Sequence, residues 1–380
     1  MLSQEKIIKA GNICLQSEYI LLYKNRNLQI EFQSMTTEMN DIKDLSLEEL
    51  VSWLDTKRLA SYRADQIFKW IYQRQVDSFD AMTNIGKPTR QLLAQAFEIG
   101  RLEVAATEDS KDGSRKFLLR LKDGCHIECV RIPEKNHDTL CISSQVGCAQ
   151  GCRFCLTARG GLLRNLTSGE MIAQVRDVIH NSPDRRLTNI VVMGMGEPLA
   201  NYRNVVKALG IITDVETGLG ITSRRVTLST AGIAPRLADL GRDTDVNLAI
   251  SLNAADDATR SRLMPINRKY PIGELLAACA RYPLKPRRRI TFEYILIKGI
   301  NDTDEDAQRL AALLAPLQAK INLIPFNEHP ESEFKRPDDD RIRQFQAILV
   351  KKNFTAVVRH SKGQDISAAC GQLRGKLRDP

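Results

Sequence analysis

The sequence contains no apolar run of the roughly 18 residues that a membrane-spanning helix needs. Its N-terminal segment lacks the basic start, apolar core and small-residue cleavage site of a secretory signal. Internal repeats and low-complexity tracts are absent as well. These absences argue against a membrane protein, so we expect a soluble, cytoplasmic chain with no membrane partner. With 380 residues, it can bury one large core and carry one or two small accessory domains.

Charge gives only a weak indication of partners. Lys and Arg total 55 against 46 Asp and Glu, which gives a formal net charge of +9. This excess is compatible with a polyanionic partner such as RNA, and equally with an ordinary mixed-charge surface.

The placement of the cysteines is more informative than their number. Nine cysteines in a chain without a secretory signal favour metal binding or thiol chemistry over a disulfide framework. Four show no ligand spacing and are predicted to be small buried hydrophobic residues: Cys14, Cys125, Cys129 and Cys279. The remaining five are candidates for chemistry: Cys141, Cys148, Cys152, Cys155 and Cys370.

The residue pattern divides the chain into four segments. Residues 1–40 show no sustained period and are predicted to be a variable, mobile extension. Residues 41–100 carry apolar residues at three- and four-residue steps, which predicts a small helical accessory domain. Residues 101–137 contain short alternating segments separated by turn residues, which predicts a strand-rich connector. Residues 138–380 alternate between strand and helix patterns and are predicted to form the main domain.

The main domain has six apolar strand candidates. They are residues 189–194, 225–229, 246–252, 290–297, 321–326 and 355–359. Helices are predicted at residues 167–179, 205–212, 272–281, 304–314 and 341–350. Such alternation predicts parallel βα units in an open sheet or in a full or partial barrel. In a barrel, the chemistry belongs at the carboxyl ends of the strands.

A C-x3-C-x2-C run is formed by Cys148, Cys152 and Cys155. Iron–sulfur clusters are held by thiolates, and a four-iron cluster with three cysteine ligands keeps one iron open to chelate a substrate. A zinc site is the main alternative. Zinc takes four ligands, however, and no second pair with suitable spacing follows in the sequence.

Two features make the sequence resemble the radical S-adenosylmethionine (SAM) superfamily. The aromatic Phe154 precedes the last cysteine of the run, and a turn with the sequence GMGEP follows a strand candidate at residues 194–198. The resemblance implies an α/β fold with a partial (βα)6-type barrel, a four-iron, four-sulfur (4Fe-4S) cluster on the three cysteines, and SAM at the open iron. It also places SAM beside Gly196 and Glu197. We interpret the glycines as allowing backbone carbonyls to approach the ligand, and Glu197 as an acceptor for its ammonium group.

A narrower resemblance, from about residue 45 to the C-terminus, is to the RlmN-type dual-specificity rRNA and tRNA adenine-C2 methyltransferases. It is carried by the segments SSQVGCAQGCRFC, VVMGMGEPL, RRVTLSTAG, LMPINRKY, INLIPFN and DISAACGQL. It implies methylation of C2 of adenosine 2503 in 23S rRNA and of adenosine 37 in a subset of tRNAs. An electron donor such as flavodoxin and a monomeric state are further implications. Additional SAM contacts are implied at strand ends: Ser229, Ser251, Leu252, Asn253 and Asn327. Asn253 is a departure, because many relatives have histidine at this position.

The C2 carbon of adenine is electron-poor and does not attack the methyl group of SAM directly, which favours a radical route. The resemblance implies that two SAM molecules are used in each turnover. Cys370 takes a methyl group from the first, and the second yields a 5′-deoxyadenosyl radical that removes a hydrogen from this methyl. The resulting methylene radical adds to C2. Cys141 then releases the product as a disulfide with Cys370 forms, and Glu128 is implied as a proton acceptor.

RNA-binding residues are less clear from the sequence. Candidate phosphate contacts are Arg224, Arg225, residues 287–289, Lys362, Arg374, Lys376 and Arg378. We expect the helical domain, with Lys69, Trp70 and Tyr72, to recognise RNA. Two alternative functions stay open. One is a C8-specific rRNA adenine methyltransferase of the antibiotic-resistance type. The other is a metal-stapled, non-catalytic RNA-binding protein, which leaves Cys141 and Cys370 unexplained.

Overall fold

A computed structural model of the chain describes residues 39–181, 186–329 and 331–375. The extension predicted at residues 1–40 lies outside the described residues except at its last two positions. No helix in the described ranges is both long and apolar enough to cross a membrane. Residues on both sides of positions 100 and 137 belong to one compact unit, so the domain boundaries there stay predictions.

The helical segment contains three α-helices between two short paired strands. The strands are β1 (Asn40–Asp41) and β2 (Phe97–Glu98), and the helices are α1 (Leu47–Thr56), α2 (Arg63–Phe68) and α3 (Lys87–Ala96). Helix α1 begins at Ser46, which forms a capping box with Glu49 and satisfies two free backbone N–H groups. Trp70 and Tyr72, expected at an RNA surface, are 9% and 1% exposed. Their role as RNA contacts is therefore corrected, because both rings pack in the hydrophobic core.

Ten strands form one mixed sheet, and two more form a small hairpin. Chain order gives β3 (Glu103–Asp109), β4 (Arg115–Arg120), β5 (His126–Pro133), β6 (Asp138–Ile142), β7 (Gln145–Gly147), β8 (Leu162–Asn165), β9 (Leu187–Val192), β10 (Val226–Thr230), β11 (Asn247–Ser251), β12 (Ile290–Leu296), β13 (Ala319–Pro325) and β14 (Ala356–Val358). The sheet order is β3-β4-β5-β6-β9-β10-β11-β12-β13-β14, and β7 pairs with β8. Strands β6 to β14 of the sheet are parallel, whereas β3 to β6 are antiparallel.

The sheet has two edges, β3 and β14, so its parallel part is a partial barrel as predicted. The remaining helices are α4 (Leu156–Arg159), α5 (Ser168–His180), α6 (Tyr202–Thr213), α7 (Leu237–Asp243), α8 (Asp257–Leu263), α9 (Ile272–Ala280), α10 (Asp304–Leu314) and α11 (Asp339–Lys351). The predicted capping box of α5 is present between Thr167 and Glu170. The sequence analysis did not predict α7 and α8, because each is only seven residues long and rich in charged residues.

The parallel strands separate apolar from polar side chains by their two-residue period. Leu228, Ile250 and Phe292 are completely buried on the face that packs in the core. The opposite face carries Ser229 and Glu293 toward the carboxyl ends of β10 and β12. This inner face positions the candidate site.

Candidate functional site

The loop with the three cysteines connects β7 to β8 and begins where β7 ends. Gly147 has a φ of 77°, and a Cβ there would collide with the carbonyl oxygen of Gly161. The backbone N–H of Cys148 donates to that same oxygen at 2.8 Å. Further along, the N–H of Cys155 donates to the carbonyl of Cys152 at 3.1 Å, which folds the second half of the run into a tight turn.

The three thiols fit an iron–sulfur cluster better than a single zinc ion. The pKa of the Cys148 thiol is raised to about 12, mainly by burial and to a smaller extent by the nearby Cys155 and Glu197. Burial, Cys155 and Cys148 hold the pKa of Cys152 well above its ordinary value. In the described part of the chain, no three or more Cys, His, Asp or Glu side chains converge closely enough to hold one metal ion. A four-iron cluster binds each cysteine through a different iron, and so it accepts thiolates that are set further apart.

The glycines of the GMGEP turn allow close packing within the protein, and their predicted role in the approach of SAM stays a prediction. A Cβ on Gly194 would lie 2.7 Å from both the Ile142 carbonyl and the Ser143 hydroxyl oxygen. At Gly196, which has a φ of 102°, a Cβ would lie 2.6 Å from the side chain of Gln145. Both glycines therefore allow the turn to pack against the end of β6 and the start of β7.

Glu197 belongs to the same turn and is 3% exposed. Its carboxylate accepts hydrogen bonds from the Thr230 hydroxyl at 2.7 Å, the Ala231 N–H at 2.7 Å and the Leu199 N–H at 3.0 Å. Burial raises the pKa of Glu197, and these donors act in the opposite direction. A carboxylate has about four acceptor positions, so one remains for the ammonium group of SAM, which stays a prediction.

A buried glutamate that the sequence analysis missed joins two of the predicted SAM contacts. The Ser229 hydroxyl donates to Oε2 of Glu293 at 2.6 Å, and the Ser251 hydroxyl donates to the same oxygen at 3.3 Å. Glu293 is 6% exposed. A charged residue within the apolar strand ITFEYIL is a signal that could have identified it, because such residues are rarely buried without a role.

The other predicted SAM contacts already have protein partners. Leu252 is completely buried. Asn253 is 1% exposed, and its side-chain oxygen accepts from the N–H of Ile295 at 2.9 Å. The Asn327 amide donates to the carbonyl of Cys370 at 3.3 Å and accepts from Gln364 at 3.1 Å. The contacts of these residues with SAM stay predictions. Asn253, where many relatives have histidine, uses its side chain to bind the backbone of Ile295.

Arg260, a second residue that the sequence analysis missed, holds the ends of two strands together. It is completely buried and donates to the carbonyls of Ala231 at 2.7 Å, Leu252 at 3.0 Å and Ser251 at 3.3 Å. Burial lowers its pKa to about 10. Its position after β11, in a short helix of polar residues, offers no local sequence pattern that marks this role.

The C-terminal loop that carries Cys370 lies on the loop of the three cysteines. The Leu156 N–H donates to the carbonyl of Gly371 at 2.7 Å, and the Thr157 hydroxyl donates to that of Leu373 at 2.7 Å. These contacts anchor the Cys370 segment at the end of the predicted cluster motif.

Cys370 also lies near Cys141, although the two are far apart in sequence. Burial raises the pKa of Cys141 to about 12, and Cys370 is the next largest cause. Burial also raises the pKa of Cys370, whereas the Arg359 guanidinium opposes that rise. The negative charge of Glu293 raises the pKa of both thiols. The structure therefore brings together the two cysteines to which the sequence analysis gave successive roles, and their disulfide stays a prediction.

Glu128 holds the C-terminal segment in this structure. It is 3% exposed, and its carboxylate lies 3.3 Å from the Lys116 ammonium. It also accepts from the N–H groups of Arg374 at 2.6 Å and Gly375 at 3.2 Å. Lys116 in turn donates to the carbonyl of Ile366 at 2.8 Å. The predicted role of Glu128 as a proton acceptor is not visible in these contacts and stays a prediction.

Three comparisons agree with this geometry. An open parallel sheet with a three-cysteine loop near the end of its first parallel strand defines a radical SAM enzyme. Residues 142–311 match the radical SAM superfamily, and residues 40–99 match the ribosomal RNA large subunit methyltransferase N-terminal domain. A crystal structure of a radical SAM methyltransferase from Sphaerobacter thermophilus matches with a TM-score of 0.83 and 46% identity, over 89% of this chain and 100% of that chain.

The dual-specificity RNA methyltransferase RlmN of Desulfosudis oleivorans is 56% identical over 339 residues, which cover 89% of this chain and 91% of the relative. The RlmN of Syntrophotalea carbinolica is 54% identical over 338 residues, with 89% and 90% coverage. The chain therefore belongs to the RlmN family of radical SAM methyltransferases. It is an enzyme whose cofactors are a 4Fe-4S cluster and SAM.

Proposed function

We propose that this enzyme methylates C2 of an adenine in RNA, at adenosine 2503 of 23S rRNA and adenosine 37 of a subset of tRNAs. The observation that carries the proposal is the position of Cys370. Its loop is hydrogen-bonded to the cluster loop at Leu156 and Thr157, and its thiol interacts with Cys141. A methyl-carrying cysteine needs this placement, because it must meet the cofactors on one side and a second thiol on the other.

Cys148, Cys152 and Cys155 would hold the 4Fe-4S cluster. The residues that would contact SAM are Gly196, Glu197, Ser229, Ser251, Leu252, Asn253 and Asn327. When bound, these cofactors supply a methyl group and the radical that removes a hydrogen atom from it. Cys370 acts as the nucleophile that accepts the methyl group, which requires its thiolate. Arg359 favours this thiolate against the effect of burial on the Cys370 pKa. Cys141 then attacks the Cys370 sulfur, so that the S–S bond forms as the S–C bond to the base breaks. The released carbon takes up a proton to complete the methyl group, and the one electron left over would pass to the bound cluster.

Glu128 is proposed as the group that accepts the proton lost from C2. Its support is a buried carboxylate beside the C-terminal segment. The helical segment 41–100 is proposed as an accessory RNA-recognition domain, followed by the connector 101–137 and the catalytic region 138–380. We also propose that the enzyme acts in the cytoplasm as a monomer and receives electrons from a donor such as flavodoxin.

Mass spectrometry of rRNA and tRNA nucleosides from cells with and without the gene tests the proposal. Loss of 2-methyladenosine is the expected result. Loss of 8-methyladenosine alone would support the antibiotic-resistance type of enzyme instead, and an unchanged nucleoside profile would contradict RNA methylation.

The roles of the two lone cysteines are tested by replacing each one. Cys141→Ala should accumulate RNA that is covalently attached through Cys370, seen as a nuclease-sensitive shift on a denaturing gel. Cys370→Ala should form no such species, because it lacks the carrier thiol. Normal turnover by Cys141→Ala would refute its releasing role.

A further inference from the structure

Two segments without acidic residues meet at the loop that carries the three cysteines. No Asp or Glu occurs in residues 139–169, which contain this loop and the β7–β8 hairpin. The same is true of residues 258–273, which contain most of α8 and the turn after it. The N–H of Arg153 in the loop donates to the carbonyl of Leu263 in the second segment at 3.0 Å. The two segments are therefore in direct contact.

Three cations of the second segment are exposed at the surface. They are Arg262, Arg268 and Lys269, and none of them forms an ion pair with any Asp or Glu in the described ranges. Arg153 differs, because its guanidinium lies 2.8 Å from the Glu333 carboxylate. Charges of one sign that are not neutralised nearby raise the local potential and attract a partner of opposite sign. This part of the surface therefore favours an acidic partner.

Exposed leucines lie beside the first cysteine of the same loop. Leu162 and Leu163 on β8 are 41% and 72% exposed, and Leu163 is the most exposed large apolar side chain among the described residues. The N–H of Cys148 donates to the carbonyl of Gly161 at 2.8 Å, so the leucines directly follow a residue that contacts the loop. Apolar side chains next to a charged rim are typical of protein interfaces. The docking face consists of Leu162, Leu163, Arg262, Arg268 and Lys269.

The position of the docking face indicates what binds there. A cluster held by the three cysteines must gain one electron before SAM is cleaved, and an electron passes between proteins only over a short distance. Cys152 and Cys155 are partly exposed, so a donor on this face would approach the cluster closely. The Cys370 segment binds the other end of the loop, through Leu156 and Thr157. A donor can therefore dock here without displacing the segment that reacts with RNA.

The composition of the docking face favours a protein partner over RNA. Single-stranded RNA is bound by cations together with exposed aromatic rings on which its bases stack. The docking face carries leucines instead of such rings. Tyr270, which follows its last cation, is partly buried against the core beside Phe154, and the Lys269 ammonium lies 5.3 Å from its ring centroid. Electron-transfer complexes between proteins are small, and complementary charges speed their formation.

We propose that the docking face binds an acidic protein that donates one electron to the cluster, such as a flavodoxin. Carboxylates of the donor pair with Arg262, Arg268 and Lys269, and apolar groups near its flavin contact Leu162 and Leu163. One electron leaves the reduced flavin and enters the cluster, so the donor is oxidised and the cluster is reduced by the same amount, and no covalent bond of the enzyme changes. The inference rests on the proposed function, which requires a donor, and assigns that donor a surface.

The test uses the full-length enzyme with its cluster, handled without oxygen, and reduced flavodoxin as the probe. Two variants change the face: Arg268→Gln/Lys269→Gln removes charge, and Leu163→Gln removes apolar surface. Both change only exposed side chains, so both should fold as the wild type does. The matched control is Lys351→Gln/Lys352→Gln, which also removes two exposed adjacent cations. These lysines lie at the end of α11, just before β14 begins, and therefore toward the amino-terminal ends of the parallel strands.

The measurements are the dissociation constant for flavodoxin at several salt concentrations, the rate of cluster reduction by reduced flavodoxin, and the binding of a tRNA transcript. Arg268→Gln/Lys269→Gln should slow cluster reduction by about tenfold at low salt, and the difference should shrink as salt screens the charges. Leu163→Gln should raise the dissociation constant about tenfold at every salt concentration, because its contribution is apolar. Reduction by excess dithionite, which needs no docked protein, should keep the wild-type rate in both variants, and RNA binding should be unchanged.

Wild-type flavodoxin binding and reduction rates in both face variants would overturn the inference, and so would an equal loss in the control. Weaker RNA binding with unchanged flavodoxin binding would assign the face to RNA instead. Slower reduction by dithionite as well as by flavodoxin would indicate damage to the cluster loop and would also refute a docking role.

Failure of the proposed function has a different signature, because the wild-type enzyme would then form no 2-methyladenosine with any reductant. Flavodoxin binding and cluster reduction need neither RNA nor turnover, so they would still test the docking face in that case.

Discussion

The Lys116–Glu128 pair should determine how firmly the Cys370 segment is held, and Lys116→Met tests this directly. The Lys116 side chain is 5% exposed and the Glu128 side chain 4% exposed. Removing one partner of a buried ion pair costs about 3–5 kcal/mol. The lower limit applies here, because the N–H groups of Arg374 and Gly375 still donate to the Glu128 carboxylate. The substitution also removes the hydrogen bond to the Ile366 carbonyl. At the lower limit, about 3 kcal/mol corresponds to roughly a hundredfold change in a local opening equilibrium.

Hydrogen exchange of the backbone amides in residues 363–375, followed by mass spectrometry, measures this opening. Lys116→Met should raise exchange in this segment by about a hundredfold. Lys122→Met is the control. Lys122 follows β4 and pairs with Glu98 at the surface, where half of the lysine side chain is exposed. Surface pairs contribute about 0–1 kcal/mol, so exchange in the control should rise less than about fivefold.

The double variant Lys116→Met/Glu128→Gln completes a double-mutant cycle. Its effect should be smaller than the sum of the single effects, because it leaves no unpaired buried charge. Methylation of Cys370 should fall in parallel with the loss of protection. Unchanged exchange at residues 363–375 in Lys116→Met, or an equal increase throughout the sheet, would refute the idea that this ion pair holds the Cys370 segment in place.

Three further predictions concern the cluster, the strand ends and the buried thiol. Cys152→Ala should lose its iron and its brown colour when purified without oxygen, since no other thiolate replaces the ligand; full iron content would contradict the assignment. Arg260→Met should lower the free energy of unfolding by about 3 kcal/mol or more, because it leaves several buried carbonyls without a donor; a wild-type melting temperature would exclude this. The pKa of about 12 for Cys141 exceeds the ordinary 9.0, so its protonated thiol stabilises the fold below pH 9, and this contribution is lost as the pH rises toward 12. Iodoacetamide should therefore modify Cys141 about tenfold faster for each pH unit up to about 11, and a plateau below pH 10 would contradict the raised pKa.

Local sequence patterns were enough to predict many of the structural elements of this protein. The spacing of Cys148, Cys152 and Cys155 predicted the cluster loop, because three ligands of one group must lie close together in a short segment. The parallel strands were predicted to within a few residues, since a run of apolar side chains is needed wherever both faces of a sheet are covered. Helix α5 was predicted from the capping box of Thr167 and Glu170, because this signal lies within four consecutive residues.

The tertiary structure alone decided which distant residues meet. The connector 101–137 reads as separate strands in sequence, but it pairs with β6 and extends the barrel sheet. Glu128, Lys116 and the Cys370 segment are brought together only by this extension. Trp70 could belong to a surface or a core by its type, and only packing placed it inside. Contacts between residues more than a hundred positions apart have no local pattern, because they depend on the order of strands in the sheet and on the path of the C-terminal segment.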